Sequence, residues 1–304
     1  MRKGDFEFLL ELLKSNAGWQ FNEEQYFIIE KKISNFVRSK NYNSVDDLIA
    51  ELKIGNRNLI SQVVEALTFS ETMFFRDIDV FADFKNKVLP KLQDKCRARK
   101  QIDIWSLGCS SGQETYSLAI IFDKYKKNFN GWQINILGSD LSAIAINKAQ
   151  RGIYNNFEIQ TGLSASDILN YFERTDEQWA AKEDIKKKIE FRRYNMLDEL
   201  IVSSKFELIF CRNVLRYFDS ENQEKILQRI SSCQPQGGYL YLGKGENIPA
   251  VERYYYPDPE NKDVYIAIGN QKYSTHSGSN ISISTPASDA EIQMPTFTRP
   301  KDLI

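Results

Sequence analysis

The sequence holds a single histidine, His276, and this scarcity narrows the chemistry that the chain can perform. Imidazole titrates near neutral pH and is the commonest ligand of transition metals. His276 lies in a polar stretch near the end of the chain. We therefore expect no histidine-based catalytic triad, no multi-histidine metal site and no histidine acid–base catalysis inside the fold.

Cysteine is also sparse, because only four are present and no two of them form a C-x-x-C pair. Zinc sites and disulfide frameworks need closely spaced or numerous cysteines. The sequence therefore predicts neither a metal site nor structural disulfides from Cys96, Cys109, Cys211 and Cys233.

Long apolar runs and an excess of one charge are missing as well. No stretch approaches the roughly 18 apolar residues of a membrane span, and the opening MRKGD lacks the apolar stretch of a secretory signal. With 40 basic and 41 acidic residues, the chain has no global positive field to attract nucleic acid or anionic membranes. We expect a soluble cytoplasmic protein that neither binds nucleic acid nor inserts into a membrane.

The residues that are present predict two kinds of structure. Within residues 5–66, apolar residues recur at spacings of three and four, which predicts a small helical bundle. From about residue 101, short apolar strands alternate with helical segments, which predicts a mostly parallel, doubly wound α/β sheet. Residues 162–190 interrupt this alternation and resemble an insertion. Residues 270–304 are rich in serine and threonine, and we predict a disordered tail there.

A glycine-containing turn follows the first predicted strand of the sheet. Gly108 and Gly112 allow a ligand to approach the backbone closely, although the same pattern also makes a plain tight turn. Glu114 then falls in the first turn of the next helix, where its carboxylate would repel a pyrophosphate. S-adenosylmethionine carries a sulfonium and an ammonium and no phosphate, so it suits this position better.

Further polar residues follow three other predicted strands, namely Asp140, Asn195 and the Arg212–Asn213 pair. Ligands of open α/β sheets bind at the carboxyl ends of the strands. Asp140 is placed to accept both hydroxyls of a ribose, or alternatively to cap the helix that begins near Ser142. Together with the glycine turn, these positions favour a nucleoside-containing ligand.

Five segments also carry family-like blocks in order along the chain: LTFSETMFFRD at 67–77, WSLGCSSGQETYS at 105–117, SD and AQRGIY within 139–154, FELIFCRNVLRYF at 206–218, and GGYLYLGKGEN at 237–247. They resemble the T-x-F-F-R, W-S-x-G-C-S-T-G-E-E-P-Y-S, T-D-I … A-R-x-G-x-Y, F-D-x-I-F-C-R-N-V-x-I-Y-F and G-G-x-L-x-x-G-x-S-E-N signatures of the chemotaxis receptor methyltransferases, the CheR family. The resemblance extends from about residue 20 to residue 269.

The resemblance implies a class I S-adenosylmethionine-dependent methyltransferase fold with a Rossmann-like, doubly wound sheet. It places an N-terminal helical domain at 1–75, the methyltransferase domain at 76–269 and a small inserted antiparallel β-subdomain at about 172–190. The implied activity is methylation of glutamate carboxylates on chemoreceptors, which serves adaptation in chemotaxis and leaves S-adenosylhomocysteine. We expect a monomer whose partners are the cytoplasmic helices of those receptors.

Carried over position by position, the resemblance also implies the site residues. The catalytic pair nearest the transferred methyl would be Arg76 and Tyr217, whose alternative roles are a surface or interdomain ion pair and a packing aromatic. A glutamate is already ionised at neutral pH, since its reference pKa is about 4.3, so transfer needs no general base. The cofactor contacts would be Ser70, Thr72, Arg76, Gly108, Glu114, Asp140, Asn195, Met196, Arg212 and Asn213.

The chain departs from the family pattern at Gln113, Thr115, Arg216 and Gly245. Two alternatives to receptor methylation therefore stay open. One is a carboxyl methyltransferase that acts on another protein. The other is a non-catalytic signalling module that binds the cofactor or its product.

Overall fold

The computed structural model describes residues 2–21, 25–68, 71–199 and 205–269. Ser70 and the predicted tail at 270–304 lie outside the described residues. Four N-terminal helices pack their apolar faces into one cluster, as the spacing of their apolar residues predicts. They are α1 (Lys3–Ala17), α2 (Tyr26–Ser39), α3 (Val45–Lys53) and α4 (Arg57–Leu67).

The rest of the described chain alternates helices and strands. The strands are β1 (Gln101–Leu107), β2 (Gln133–Asp140), β3 (Ile153–Asn155), β4 (Phe172–Thr175), β5 (Gln178–Ala181), β6 (Ile189–Arg193), β7 (Leu208–Cys211), β8 (Tyr239–Leu242), β9 (Tyr255–Asp258) and β10 (Asn261–Ala267). The helices are α5 (Ile78–Asp83), a π-helix (Phe84–Val88), α6 (Leu89–Lys95), α7 (Gln113–Lys124), α8 (Ala143–Arg151), α9 (Asn156–Gln160), α10 (Ala165–Tyr171), α11 (Glu183–Lys186) and α12 (Ser220–Ser232), with 3₁₀ turns at Leu215–Tyr217 and Pro249–Arg253.

Seven strands form the main sheet in the order β6-β2-β1-β7-β8-β10-β9. The first five strands pair in parallel, and β10 runs antiparallel to both of its neighbours. The chain builds outward from β1 through β2 to β6 and then returns to β7, so the order reverses between β1 and β7. Ligands bind at such a reversal in doubly wound sheets. The predicted methyltransferase-type α/β fold with its N-terminal helices is confirmed.

Two strands of the described chain were not predicted. Pro257 lies within β9, and proline is unfavourable in a strand except at a sheet edge, which is where β9 lies. β3 has only three residues and joins a separate antiparallel sheet of order β3-β5-β4. The expected insertion at about 172–190 covers β4, β5 and α11, whereas β3 comes earlier and Ile189 already begins β6 of the main sheet.

The segment that joins the helical bundle to the sheet is fixed by close contacts. The Phe75 amide donates to Ser117 Oγ at 2.9 Å. The Phe74 ring packs against Tyr154 and Phe172 with centroid distances of 5.0 and 5.4 Å. Gly162 lies so close to Phe74 that an added Cβ would come within 1.8 Å of the Phe74 carbonyl oxygen. These contacts fix the positions of Phe74 and Phe75, and therefore also the position of Arg76, which follows them in the chain.

The helical bundle is also hydrogen-bonded to the carboxyl ends of the strands. Glu65 of α4 accepts hydrogen bonds from Ser142 Oγ and the Ile144 amide at 3.0 and 2.6 Å, at the start of α8. After α1, the Gln20 amide donates to the Tyr217 carbonyl at 2.7 Å. Among the described residues, no helix has the length and apolar character needed to cross a bilayer.

Replacing Gly162 by alanine is expected to destabilise the protein strongly. Gly162 has φ +96°, and a left-handed conformation costs an L-residue about 1–2 kcal/mol. Displacing Phe74 from the new Cβ adds about 1–3 kcal/mol. We expect urea titration to show a loss of about 2–5 kcal/mol in the free energy of unfolding.

Gly131 provides the matched control, because it has φ +76° and an added Cβ there meets no atom within 4 Å. Gly131→Ala should cost only the backbone contribution, about 1–2 kcal/mol. Equal losses from the two substitutions would contradict a structural role for the contact with Phe74.

Candidate functional site

A cavity of about 180 Å³ lies at the carboxyl ends of the strands, next to the reversal of strand order. Its walls come from the turns after β1, β2, β6 and β7, from the segment before α5 and from the end of α1. All of the predicted site residues that the structure describes line this cavity, namely Thr72, Arg76, Gly108, Glu114, Asp140, Asn195, Met196, Arg212, Asn213 and Tyr217.

The Asp140 carboxylate joins two of the turns that form the wall. One oxygen accepts the Ser110 amide at 2.8 Å and the other accepts the Ser142 amide at 2.9 Å. Burial raises the pKa of Asp140, and these hydrogen bonds oppose the shift. Ser142 itself caps α8 by accepting the Ala145 amide. Asp140 therefore shapes the turns, and its oxygens retain lone pairs for the hydroxyls of a ligand.

Glu114 and Arg212 form an ion pair in the cavity wall. Glu114 Oε2 lies 3.2 Å from Arg212 Nη1, and Glu114 Oε1 accepts the Ser106 hydroxyl at 2.8 Å. Burial raises the pKa of Glu114, and the charge of Arg212 is the main opposing influence. The Arg212 side chain is only 1% exposed, and its Nη2 also pairs with Asp77 at 2.5 Å. Because these partners are protein carboxylates, the Arg212 guanidinium mainly stabilises the fold around the cavity.

Two asparagines line the cavity and differ in the hydrogen bonding of their side chains. Asn195 bonds to the protein through both ends of its side chain, donating to the Asn16 carbonyl and accepting the Leu197 amide. Asn213 has a left-handed backbone with φ 61°, which is tolerated better by asparagine than by most residues. Its Oδ1 is buried and has no hydrogen-bond partner among the described residues. Such an unsatisfied acceptor is costly unless a ligand provides a donor.

Arg76, Arg216 and Tyr217 lie together at one part of the cavity wall. Arg76 Nη1 donates to the Glu71 carbonyl at 3.0 Å, while the Arg216 side chain is half exposed. Burial raises the pKa of Tyr217, and the nearby charges of Arg216 and Arg76 oppose the shift. Arg216 Nε lies 3.8 Å from Glu246 Oε1, and the carboxylates of Glu71 and Glu246 also raise the pKa of Tyr217, so cations and carboxylates both surround the phenol.

The sequence did not identify several residues of the cavity wall. Ala17 and Trp19 come from the end of α1, and Leu141 and Tyr194 flank predicted positions. The sequence offers only a weak indication of Trp19. A glycine ends α1, and the residue after such a glycine can turn back toward the sheet. No local pattern showed that the helical bundle would close one side of the site.

The polar groups of the cavity fit S-adenosylmethionine. The carboxylates of Glu114 and Asp140 suit positive charge and ribose hydroxyls, and the Arg76 guanidinium suits a carboxylate, either the cofactor's own or that of an acidic reactant. The unsatisfied acceptor on Asn213 adds a place for a ligand N–H or O–H. Among the described residues, no group of three histidine, cysteine or acidic side chains lies close enough to hold a metal ion.

Comparison with known proteins gives a consistent result. A family model described as "CheR methyltransferase, SAM binding domain" matches residues 70–262. Chemotaxis protein methyltransferase 1 of Pseudomonas aeruginosa is 33% identical over 255 residues, which covers 83% of this chain and 93% of the relative. The chemotaxis protein methyltransferase of Borreliella burgdorferi is 32% identical over 252 residues, covering 81% and 89% of the two chains.

Acidification is expected to weaken cofactor binding at a higher pH than exposed carboxylates would dictate. Burial raises the pKa values of Glu114 and Asp140, so these groups gain protons earlier as the pH falls. Binding of a positively charged group and a ribose requires the ionised carboxylates of Glu114 and Asp140. The affinity is therefore lost as these carboxylates take up protons. Calorimetric titration with S-adenosylhomocysteine at a series of pH values should show this loss.

Asp140→Asn should weaken binding at neutral pH and make the pH dependence less steep, because one titrating group is removed. Asp103→Asn is the control, since Asp103 is also buried but lies near the amino end of β1. An affinity that stays constant until the ordinary carboxylate range, or equal effects of the two substitutions, would contradict the assignment.

Proposed function

The chain belongs to the CheR methyltransferase family, and on this basis we propose that it transfers a methyl group from S-adenosylmethionine to glutamate side chains of chemoreceptors. The protein is a methyltransferase that uses S-adenosylmethionine as its cofactor. The choice of receptor glutamates is supported by relatives that are named chemotaxis methyltransferases. One structural observation supports it most: Arg76, Arg216 and Tyr217 share a cavity wall with the carboxylates of Glu114 and Asp140.

The separation of charge within the cavity supports this chemistry. When bound, S-adenosylmethionine supplies a methyl group on a positively charged sulfur, and transfer to a carboxylate requires no proton removal. Glu114 and Asp140 hold the positively charged and hydroxyl-bearing parts of the cofactor. Arg76 would pair with the incoming carboxylate and hold it near the reacting methyl group.

Tyr217 acts as a hydrogen-bond donor rather than as a base. Because burial raises the pKa of its phenol, the hydroxyl keeps its proton throughout the neutral range. The hydroxyl would donate to one oxygen of the acceptor carboxylate and leave the other oxygen free to accept the methyl group. Arg216 adds a further positive charge at the same wall and favours acidic acceptors.

The partly buried site contributes to the rate as well. Methyl transfer from a sulfonium to a carboxylate would neutralise both charges, and water stabilises such separated charges. Trp19 and Phe218, which lie beside Tyr217 in the cavity wall, reduce the access of water to the reacting atoms. The helical bundle thus becomes part of the active site.

The substrate is tested with radiolabelled S-adenosylmethionine and cytoplasmic fragments of chemoreceptors from the same organism. We expect label on the receptor fragments, release of the label as methanol in alkali because the product is an ester, and loss of labelling when the target glutamates are changed to glutamine. Label on a different protein of the lysate, with none on receptors, would identify another carboxyl acceptor. Tight cofactor binding with no labelled protein would favour the non-catalytic alternative.

Tyr217→Phe tests the hydrogen bond that the phenol donates. A hydrogen bond to a charged group contributes about 1.5–3 kcal/mol, so we expect kcat to fall by about 10- to 150-fold. The affinity for S-adenosylhomocysteine should change little, because the hydroxyl acts on the acceptor.

Tyr256→Phe serves as the control, since Tyr256 lies half exposed on β9 and outside the cavity. It should leave kcat unchanged. Full activity of Tyr217→Phe would exclude the proposed role of the phenol.

A further inference from the structure

A buried carboxylate, that of Glu246, lies behind the wall that carries Arg216 and Tyr217. Its side chain is 1% exposed, and it comes from the turn after β8. Glu246 Oε2 accepts the amides of Asn213 and Gly243 at 2.8 and 2.9 Å. Glu246 Oε1 accepts the amide of Arg216 at 3.0 Å. Three backbone donors from two separate turns thus converge on one carboxylate.

These hydrogen bonds join the turn after β7 to the turn after β8. The two turns touch at Gly243, where an added Cβ would come within 2.6 Å of Asn213 Nδ2 and 2.7 Å of the Asn213 amide nitrogen. Asn213 has a left-handed φ of 61°, and its amide donates to Glu246. Glycine at 243 therefore permits the close approach, and the carboxylate maintains it.

Other groups hold the same segment by its carbonyls. Gln223 Nε2 donates to the carbonyls of Leu215 and Phe218, each at 3.0 Å, and the Gln20 amide donates to the carbonyl of Tyr217. Glu246 supplies the acceptor for amides of this segment. Hydrogen bonds from N–H groups to a carboxylate are about twice as strong as those between neutral groups, so replacing the charge should loosen the segment first.

We propose that Glu246 is a positioning residue for methyl transfer, and that it fixes the turn carrying Arg216 and Tyr217 without touching either reactant. This inference rests on the proposed role of Tyr217. The two carboxylate oxygens of Glu246 have different partners. Oε2 accepts the amide of Asn213, on the cofactor side, and Oε1 accepts the amide of Arg216, the neighbour of Tyr217. A change confined to Oε1 should therefore affect the acceptor and not the cofactor.

Glu246→Gln makes that change. The amide oxygen can take the place of Oε2 and keep the bonds to Asn213 and Gly243. The amide nitrogen then faces the Arg216 N–H, so two donors oppose each other. We expect kcat for receptor methylation to fall by about tenfold or more, while the dissociation constant of S-adenosylhomocysteine stays within about threefold.

Glu207→Gln is the matched control. Glu207 is likewise buried, and it accepts the Asp103 amide at 2.9 Å and Arg99 Nη2 at 2.7 Å beside the amino end of β7. This substitution should lower the unfolding midpoint and leave kcat unchanged. If Glu207→Gln lowers kcat as much as Glu246→Gln does, general destabilisation explains the loss and the inference is wrong.

Two further outcomes separate the inference from the proposed function. Full kcat in Glu246→Gln, or equal loss of kcat and cofactor affinity, overturns the positioning role while wild-type methylation of receptors stands. A wild-type chain that binds cofactor and methylates no receptor overturns the proposed function, and the inference with it.

If Glu246→Gln fails to fold, Glu246→Asp is measured instead. It keeps the charge but is one methylene too short to reach both turns. Its kcat should also fall without a matching loss of cofactor affinity, and wild-type kcat in this variant would contradict the proposal.

Discussion

The buried guanidinium of Arg212 is the group on which the geometry of the site depends. It pairs with Glu114 at the start of α7 and with Asp77 just before α5, and it donates to the Arg76 carbonyl. A cation with so little exposure is tolerated only when anions and carbonyls surround it closely. Three separate parts of the chain must therefore meet around Arg212. The same convergence places Arg76 and Glu114, which carry opposite charges, on one cavity.

Carboxylates fasten the turns of this site in a consistent way. Asp140 joins the turn after β1 to the turn after β2, and Glu246 joins the turn after β7 to the turn after β8. In each case backbone amides from two turns bond to one acidic side chain. The turns at the ends of parallel strands lack the ladder that orders the strands themselves. Buried carboxylates provide a substitute for that ladder in the turns around the cavity.

Much of this arrangement was predictable from the sequence, for a physical reason. β1, α7 and α12 have clear periodicity, and the parallel topology then brings Glu114, Asp140 and Asn213 to one edge of the sheet. The parts that escaped prediction depend on contacts between distant segments. The short strand β3 and the proline-containing β9 are stabilised by their neighbours rather than by local preference. The positions of Trp19 in the cavity wall and of Glu246 behind it depend on how the helical bundle and the turn after β8 pack against the turn after β7.

The pairing of Trp19 with Phe218, together with the bond from Gln20 to Tyr217, has a consequence for the modularity of the protein. These two backbone contacts connect the helical bundle directly to the segment that contains Tyr217 and Phe218. Removing the helical bundle would take away the partner of Phe218 and the donor to the Tyr217 carbonyl. The first helices are therefore joined directly to the turn that carries Tyr217 in the cavity wall.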